Sequence, residues 1–250
     1  MIVLNYHRVE SGGAAGFYTL LPAKLSQHLQ DIRKLGLKVI GTSEALSAKV
    51  DKGMVMLHFD DGTEDHAKYV LPILQSERVT GVFFINTAKI DQPGYLTVDQ
   101  VKQLAAAGND IECHGHSHRR MDRMAPDELD HELATSVALI HEWTGRAPRL
   151  LAPPGGFINQ QVIRASQRHQ LGTLRTMRWN TNSIPLHGML DCLVVTGASR
   201  DEQIRQWLQG RGIRMLRTTY LIKQGIRSLL PFDLYLKTRS RFCSGSIRNP

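Results

Sequence analysis

The chain has 250 residues, of which 42% are hydrophobic and 22% charged, a balance that permits a sizeable core and excludes wholesale disorder and the fibrous classes. The formal net charge is +8, but residues 201–250 hold ten Lys or Arg against three acids and so carry +7 of it. The nearly neutral remainder excludes a nucleic-acid groove spread over the main body and leaves a basic C-terminal segment suited to an anionic surface.

In chain order, short β-rich apolar runs alternate with segments of helical spacing. The first run, IVLNYH (2–7), is followed by a helix over 22–35, where Leu25, Leu29, Ile32 and Leu35 form one stripe and Gly36 supplies a stop. MVMLHF (54–59) precedes a helix over 65–76, GVFFIN (81–86) a helix over 97–107, and DIECH (110–114) a helix over 126–143 that opens on Pro126 and two acids. RLLAP (149–153) leads into a helix over 159–169, and CLVVT (192–196) is the last run. Near-continuous apolar strands separated by helices predict parallel β/α units covered on both faces, as an open doubly wound sheet or a closed barrel. Residues 201–250 break this rhythm. Arg mixes there with Trp, Leu, Ile, Tyr and Phe, interrupted by Gly210, Gly212, Gly225 and Pro231, which predicts two or three short basic amphipathic helices.

No run of about 18 apolar residues occurs, and MIVLNYHRVE has neither the basic leader nor the long apolar core of a signal peptide, so a cytoplasmic chain is expected. Cys113, Cys192 and Cys243 are odd in number and far apart, as reduced thiols rather than a disulfide framework would be.

Two polar clusters fall at the C-terminal ends of predicted strands, where ligands bind in β/α folds. LHFDDGTEDH places Asp60 and Asp61 side by side; an Asp here serves equally well as N-cap of the helix beginning near Asp65. DIECHGHSHRRM places His114, His116 and His118 within five residues. Two imidazoles with a carboxylate make a three-ligand metal site with open positions, although a histidine-rich solvated loop has the same composition.

The order and spacing of YHRV, HFDDGTEDHAKYVLPIL, GVFFINTAKI and GNDIECHGHSHRRM resemble the polysaccharide deacetylases, the NodB-like family also called carbohydrate esterase family 4, over about residues 1–200. The resemblance implies a distorted (β/α) barrel over 1–200, with 201–250 as a helical appendage. It implies that Asp61, His114 and His118 bind a divalent metal, usually zinc, and that Asp60 is the general base; His116, between the ligands, is then a supporting or surface residue, with a place among the ligands as the alternative. The family's third motif, roughly Arg-x-Pro-Tyr-Gly, corresponds to APPGG: Pro154 and Gly156 align, Gly155 takes the Tyr place with a backbone N–H for the oxyanion, and Ala152 replaces the Arg. Arg175, placed after the next strand, is the candidate substitute for that guanidinium, with a surface Arg as the competing reading. Trp179 corresponds to an aromatic of the substrate groove, or else is a core residue. The last family motif, a general-acid His, has no counterpart in CLVVTGAS. In some relatives an N-terminal YH supplies it, which points to His7 ahead of His187 in IPLHGML.

The function so implied is hydrolysis of N-acetyl groups from an N-acetylated amino sugar in exopolysaccharide or cell-envelope metabolism. Hydrolysis of another C–N bond or an O-acetyl ester, and glycan binding without turnover, are the alternatives. LLPFDLYLKTR resembles endings of deacetylase-like proteins of exopolysaccharide synthesis, and the basic helices suit peripheral attachment to the inner face of a membrane.

Overall fold

The computed structural model describes residues 1–11, 16–47, 53–178, 180–182 and 188–218. Eight strands, β1 (Ile2–Tyr6), β2 (Met54–Asp61), β3 (Val82–Ile85), β4 (Asp110–Cys113), β5 (Leu150–Leu151), β6 (Thr173–Thr176), β7 (Met189–Asp191) and β8 (Leu193–Val194), run in the order β7-β6-β5-β4-β3-β2-β1-β8. Every pairing along this path is parallel. Its two edges, β7 and β8, are separated in sequence by Cys192 alone, so one segment pairs with β6 through its first half and with β1 through its second. The sheet thereby nearly closes on itself, and the fold is a distorted (β/α) barrel rather than an open sheet.

Strand alternation divides the apolar residues into two cores. Ile2, Leu4, Leu57, Phe59, Phe83 and Ile85 point outward and join Leu25, Leu29 and Ile32 of helix α1 (Pro22–Lys34). Met1, Val3, Met56, Val82, Phe84 and Leu190 fill the barrel. Both faces are covered, which is why the strands read as near-continuous apolar runs. Leu35, the last member of the predicted α1 stripe, is partly exposed at the helix end, where Gly36 takes φ +65°.

Besides a single helical turn at Thr42–Ala45, five longer helices follow: α2 (Leu71–Glu77), α3 (Val98–Ala106), α4 (Pro126–Thr144), α5 (Gln160–Arg168) and α6 (Asp201–Leu208). Two features depart from the sequence expectations. The segment before α2 begins as a π-helical turn, His66–Val70. Strands β6 and β7 have no apolar run to announce them, because β6 reads Thr-Leu-Arg-Thr. Helix α6 packs on α1: Lys24 pairs with Asp201 at 2.6 Å and Arg205 with Asp31 at 3.1 Å, above the buried Ile204, Trp207 and Leu208. The rest of the predicted basic segment, 219–250, lies outside the described residues. Among those described, no helix is long and apolar enough to cross a membrane.

Candidate active site

At the C-terminal ends of the strands the inward positions turn polar. Asn5 follows Val3 on β1, His58 and Asp60 follow Met56 on β2, and His114 follows Glu112 just past β4. The two-residue period aims these side chains into one space. Asp60, only 2% exposed, accepts a hydrogen bond at Oδ2 from Arg175 Nη2 at 2.6 Å and from Asn5 Nδ2 at 3.2 Å. His7 Nε2 stands 3.7 Å from the same oxygen. Arg175 is therefore no surface arginine after a strand. It lies within β6, is 3% exposed, and reaches Asp60 across the barrel.

Asp61 leaves the strand pattern at φ +76°, ahead of Gly62 at +69°. Its Oδ1 lies 3.4 Å from His114 Nε2 and 3.2 Å from His118 Nε2. His118 is also left-handed, at φ +60°. A non-glycine residue rarely adopts this conformation, and residues held there gather at functional sites. Neither adjacent aspartate caps a helix. Asp65 occupies that place, and its side chain makes no cap bond either.

The donor set fits a divalent cation. His114 Nδ1 donates to the Ala152 carbonyl, which fixes the tautomer and leaves a lone pair on Nε2, the atom facing Asp61. The three donor atoms lie within 4.8 Å of one another. Ligands about 2.1 Å from a tetrahedral ion stand about 3.4 Å apart, close to the separations seen. His116 is turned to Thr87 Oγ1 at 2.9 Å and lies outside the set.

The loop bearing His118 is held from behind by Glu132, on the buried face of α4. Its Oε1 accepts from His116 N at 2.8 Å and Ser117 N at 2.7 Å. Gly115 makes this approach possible, since a Cβ there would meet Glu132 Oε1 at 2.8 Å and Met121 Cε at 2.7 Å.

Burial acts to raise the Asp60 pKa, but the Arg175 guanidinium, helped by His114 and His7, holds the carboxyl below its ordinary value. Burial lowers the His7 imidazole, against the opposing pull of Asp60 and Asp61. The His7 ring stacks on Tyr18 at 4.5 Å between centroids. Pro154 is buried in the turn after β5, where Gly155 takes φ +70° and its backbone borders the Phe157 ring. Trp179 and His187 lie outside the described residues. The buried thiols Cys113 and Cys192 are unbonded to each other, and burial pushes them up to about 11 and about 12 respectively.

Residues 47–174, about half the chain, match the sequence profile of the family described as polysaccharide deacetylase. The chain belongs to the polysaccharide deacetylase family. It is 24% identical over 133 residues to the peptidoglycan-N-acetylglucosamine deacetylase of Bacillus cereus, covering 53% of this chain and 59% of that one. It is 29% identical over 123 residues to the chitooligosaccharide deacetylase of Bradyrhizobium sp. strain ANU 289, covering 48% and 54%. These alignments span less than two thirds of the relatives' own length. In fold, IcaB from Ammonifex degensii matches with a TM-score of 0.75 at 21% identity, over 83% of this chain and 96% of that one.

The deacetylase profile ends one residue short of Arg175 and begins well after Asn5 and His7, so three of the groups around Asp60 come from outside the matched stretch. Sequence reasoning missed Asn5, Asp65, His66 and Glu132 as contributors. Two of them leave a signal. Asn5 is a lone polar residue in an apolar run, two before His7, and Glu132 interrupts the buried stripe of Leu129, Leu133 and Ile140.

Proposed function

We propose that this chain is a metal-dependent hydrolase that removes N-acetyl groups from an N-acetylated amino sugar in a glycan or glycan precursor. The observation that carries this reading is the division of two adjacent carboxylates: Asp61 converges with His114 and His118, while Asp60 is drawn away by Arg175 and faces His7.

A divalent cation, most simply zinc, held by Asp61, His114 and His118 would polarise the amide carbonyl and acidify a water. Asp60 accepts the water proton. Its Oδ2 is taken by Arg175 and Asn5, and its buried Oδ1 has no hydrogen-bond partner among the described residues, so Oδ1 is the oxygen available for that transfer. His7, whose Nε2 stands 3.7 Å from Asp60 Oδ2, donates from Nε2 to the departing nitrogen. The Gly155 N–H is the backbone donor assigned to the oxyanion, with Pro154 fixing the turn. Trp179 would offer a flat face to the sugar.

The substrate class extends from the relatives: the Bacillus cereus protein is a peptidoglycan-N-acetylglucosamine deacetylase and the Bradyrhizobium protein a chitooligosaccharide deacetylase. An exopolysaccharide or cell-envelope glycan is the proposed setting, at the cytoplasmic face of a membrane. The exposed Arg200, Arg211, Arg214 and Arg217 support contact with anionic headgroups.

Mass spectrometry of N-acetylated oligosaccharides incubated with metal-loaded protein tests the reading. Loss of one acetyl group and release of acetate are expected. Asp60→Asn should lower the rate by about 10²–10⁴-fold while still binding metal, and a chelator should stop turnover until metal is restored. Turnover undiminished after metal stripping, or acetate released only from O-acetyl esters, would overturn it.

A further inference from the structure

The two residues that close LHFDDGTEDH, Asp65 and His66, reach back to the other side of the site. His7 is the first residue past β1, and the chain beyond it leaves the barrel so that Arg8–Val9 can pair with Thr19–Leu20. Among the described residues, no strand pairs with His7 at that exit. Two buried side chains from the Asp60 loop straddle it instead. His66 Nε2 lies 2.7 Å from the His7 carbonyl oxygen, and Asp65 Oδ2 accepts from Val9 N at 2.6 Å.

Both contacts have a determined direction. A carbonyl only accepts, so the His66 ring carries a proton on Nε2. An amide N–H only donates, so Asp65 is the acceptor. The His66 ring is fixed edge-on between Phe59 and Phe83, at 5.8 and 5.5 Å between centroids. It opens the π-helical turn His66–Val70, and such turns are frequent at functional sites. Asp65 sits where a cap would, yet its carboxylate serves Val9 and not the turn's own N–H groups.

We propose that Asp65 and His66 are positioning residues that set the His7 imidazole against Asp60 and so aim its proton at the leaving nitrogen. The stretch 57–66 then supplies the base, one metal ligand and the clamp on the acid, so base and acid move as one unit. This inference rests on the reading of His7 as general acid.

The test compares metal-loaded wild type with Asp65→Ala, Asp65→Asn, His66→Phe and His66→Gln, after thermal melting has established that each is folded. Two substrates are used: an N-acetylated chitooligosaccharide, whose amine must be protonated to leave, and an activated aryl acetate, whose phenolate leaves unaided. Asp65→Ala and His66→Phe should lower kcat on the amide by about 10–100-fold with KM little changed, and lower the ester rate by about twofold at most. Asp65→Asn keeps an acceptor and His66→Gln keeps a donor, so both should recover much of the loss. Equal losses on both substrates, or no rescue by the conservative variants, would overturn the inference. His7→Ala separates the premises: full amide activity in that variant would refute His7 as the acid, whatever Asp65 and His66 do. Imidazole NMR signals of His7 provide a readout independent of turnover. They should shift in Asp65→Ala and His66→Phe and stay near wild type in Asp65→Asn; unchanged signals in all variants would overturn the clamp.

Discussion

Two buried carboxylates in this barrel meet opposite fates. Asp60 and Glu112 are 2% and 3% exposed, on strands separated only by β3. Glu112 lines a cleft of about 310 Å³ at the N-terminal ends of the strands, with Asp110, Ser43, Arg146 and Arg149. Its Oε2 accepts two backbone N–H groups, from Arg149 and Leu150, each at 2.7 Å, and burial still pushes its carboxyl up to about 7. Asp60 is held below its ordinary value. The burial is alike and the partners are not: a guanidinium at 2.6 Å stands beside Asp60, while the groups that favour the Glu112 carboxylate are neutral, two backbone N–H groups and the Thr42 side chain. An ionised Asp60 at neutral pH is therefore owed to Arg175 as much as to the carboxyl itself.

Removing the guanidinium makes Asp60 resemble Glu112. Arg175→Met should destabilise the fold by about 3–5 kcal/mol, the usual cost of leaving one member of a buried ion pair alone, as read from denaturant unfolding near neutral pH. Arg175→Lys should recover part of this, since an ammonium supplies charge without the planar fork.

Glu132 extends the comparison, because it uses the same paired backbone N–H arrangement as Glu112 but at the catalytic end. Glu132→Ala should weaken metal binding by about 10–100-fold through the His118 loop, measured by competition with a chromogenic chelator. Glu132→Gln retains an acceptor and should lose much less.

The smallest effect belongs to Glu112. Its folded value of about 7 lies above the ordinary 4.5. The stability contributed by its buried acid form is thus full below the ordinary value and lost as pH rises through the folded one. Glu112→Gln removes that dependence. Wild type should lose Tm relative to the variant as pH rises from about 5 to about 8. Parallel melting curves across that range would show that Glu112 does not titrate there.

The legible and illegible parts of this site differ in sequence distance. Asp60 with Asp61, and His114 with His118, are local patterns at the ends of strongly apolar strands, so motif and strand point to one place. Arg175 meets Asp60 across 115 residues. It sits in a strand whose neighbours are two threonines and one leucine, and no periodicity distinguishes that strand from a loop. Strand and helix spacing left the choice between open sheet and barrel equally hidden, and only the family resemblance supplied the barrel, because the choice turns on one segment, Met189–Val194, dividing its pairing between β6 and β1. Asp65 and His66 were obscured by their fitness for a different task, since an Asp at the start of a predicted helix already has a reading as a cap.

The most direct test of the link between Arg175 and the base is the pH dependence of kcat/KM for acetate release by metal-loaded wild type and Arg175→Met. If the guanidinium keeps Asp60 ionised, its removal leaves burial opposed only by the weaker pull of His114 and His7, the Asp60 pKa rises, and the acid limb moves to higher pH in the variant. An acid limb at the same pH in both folded proteins would contradict it.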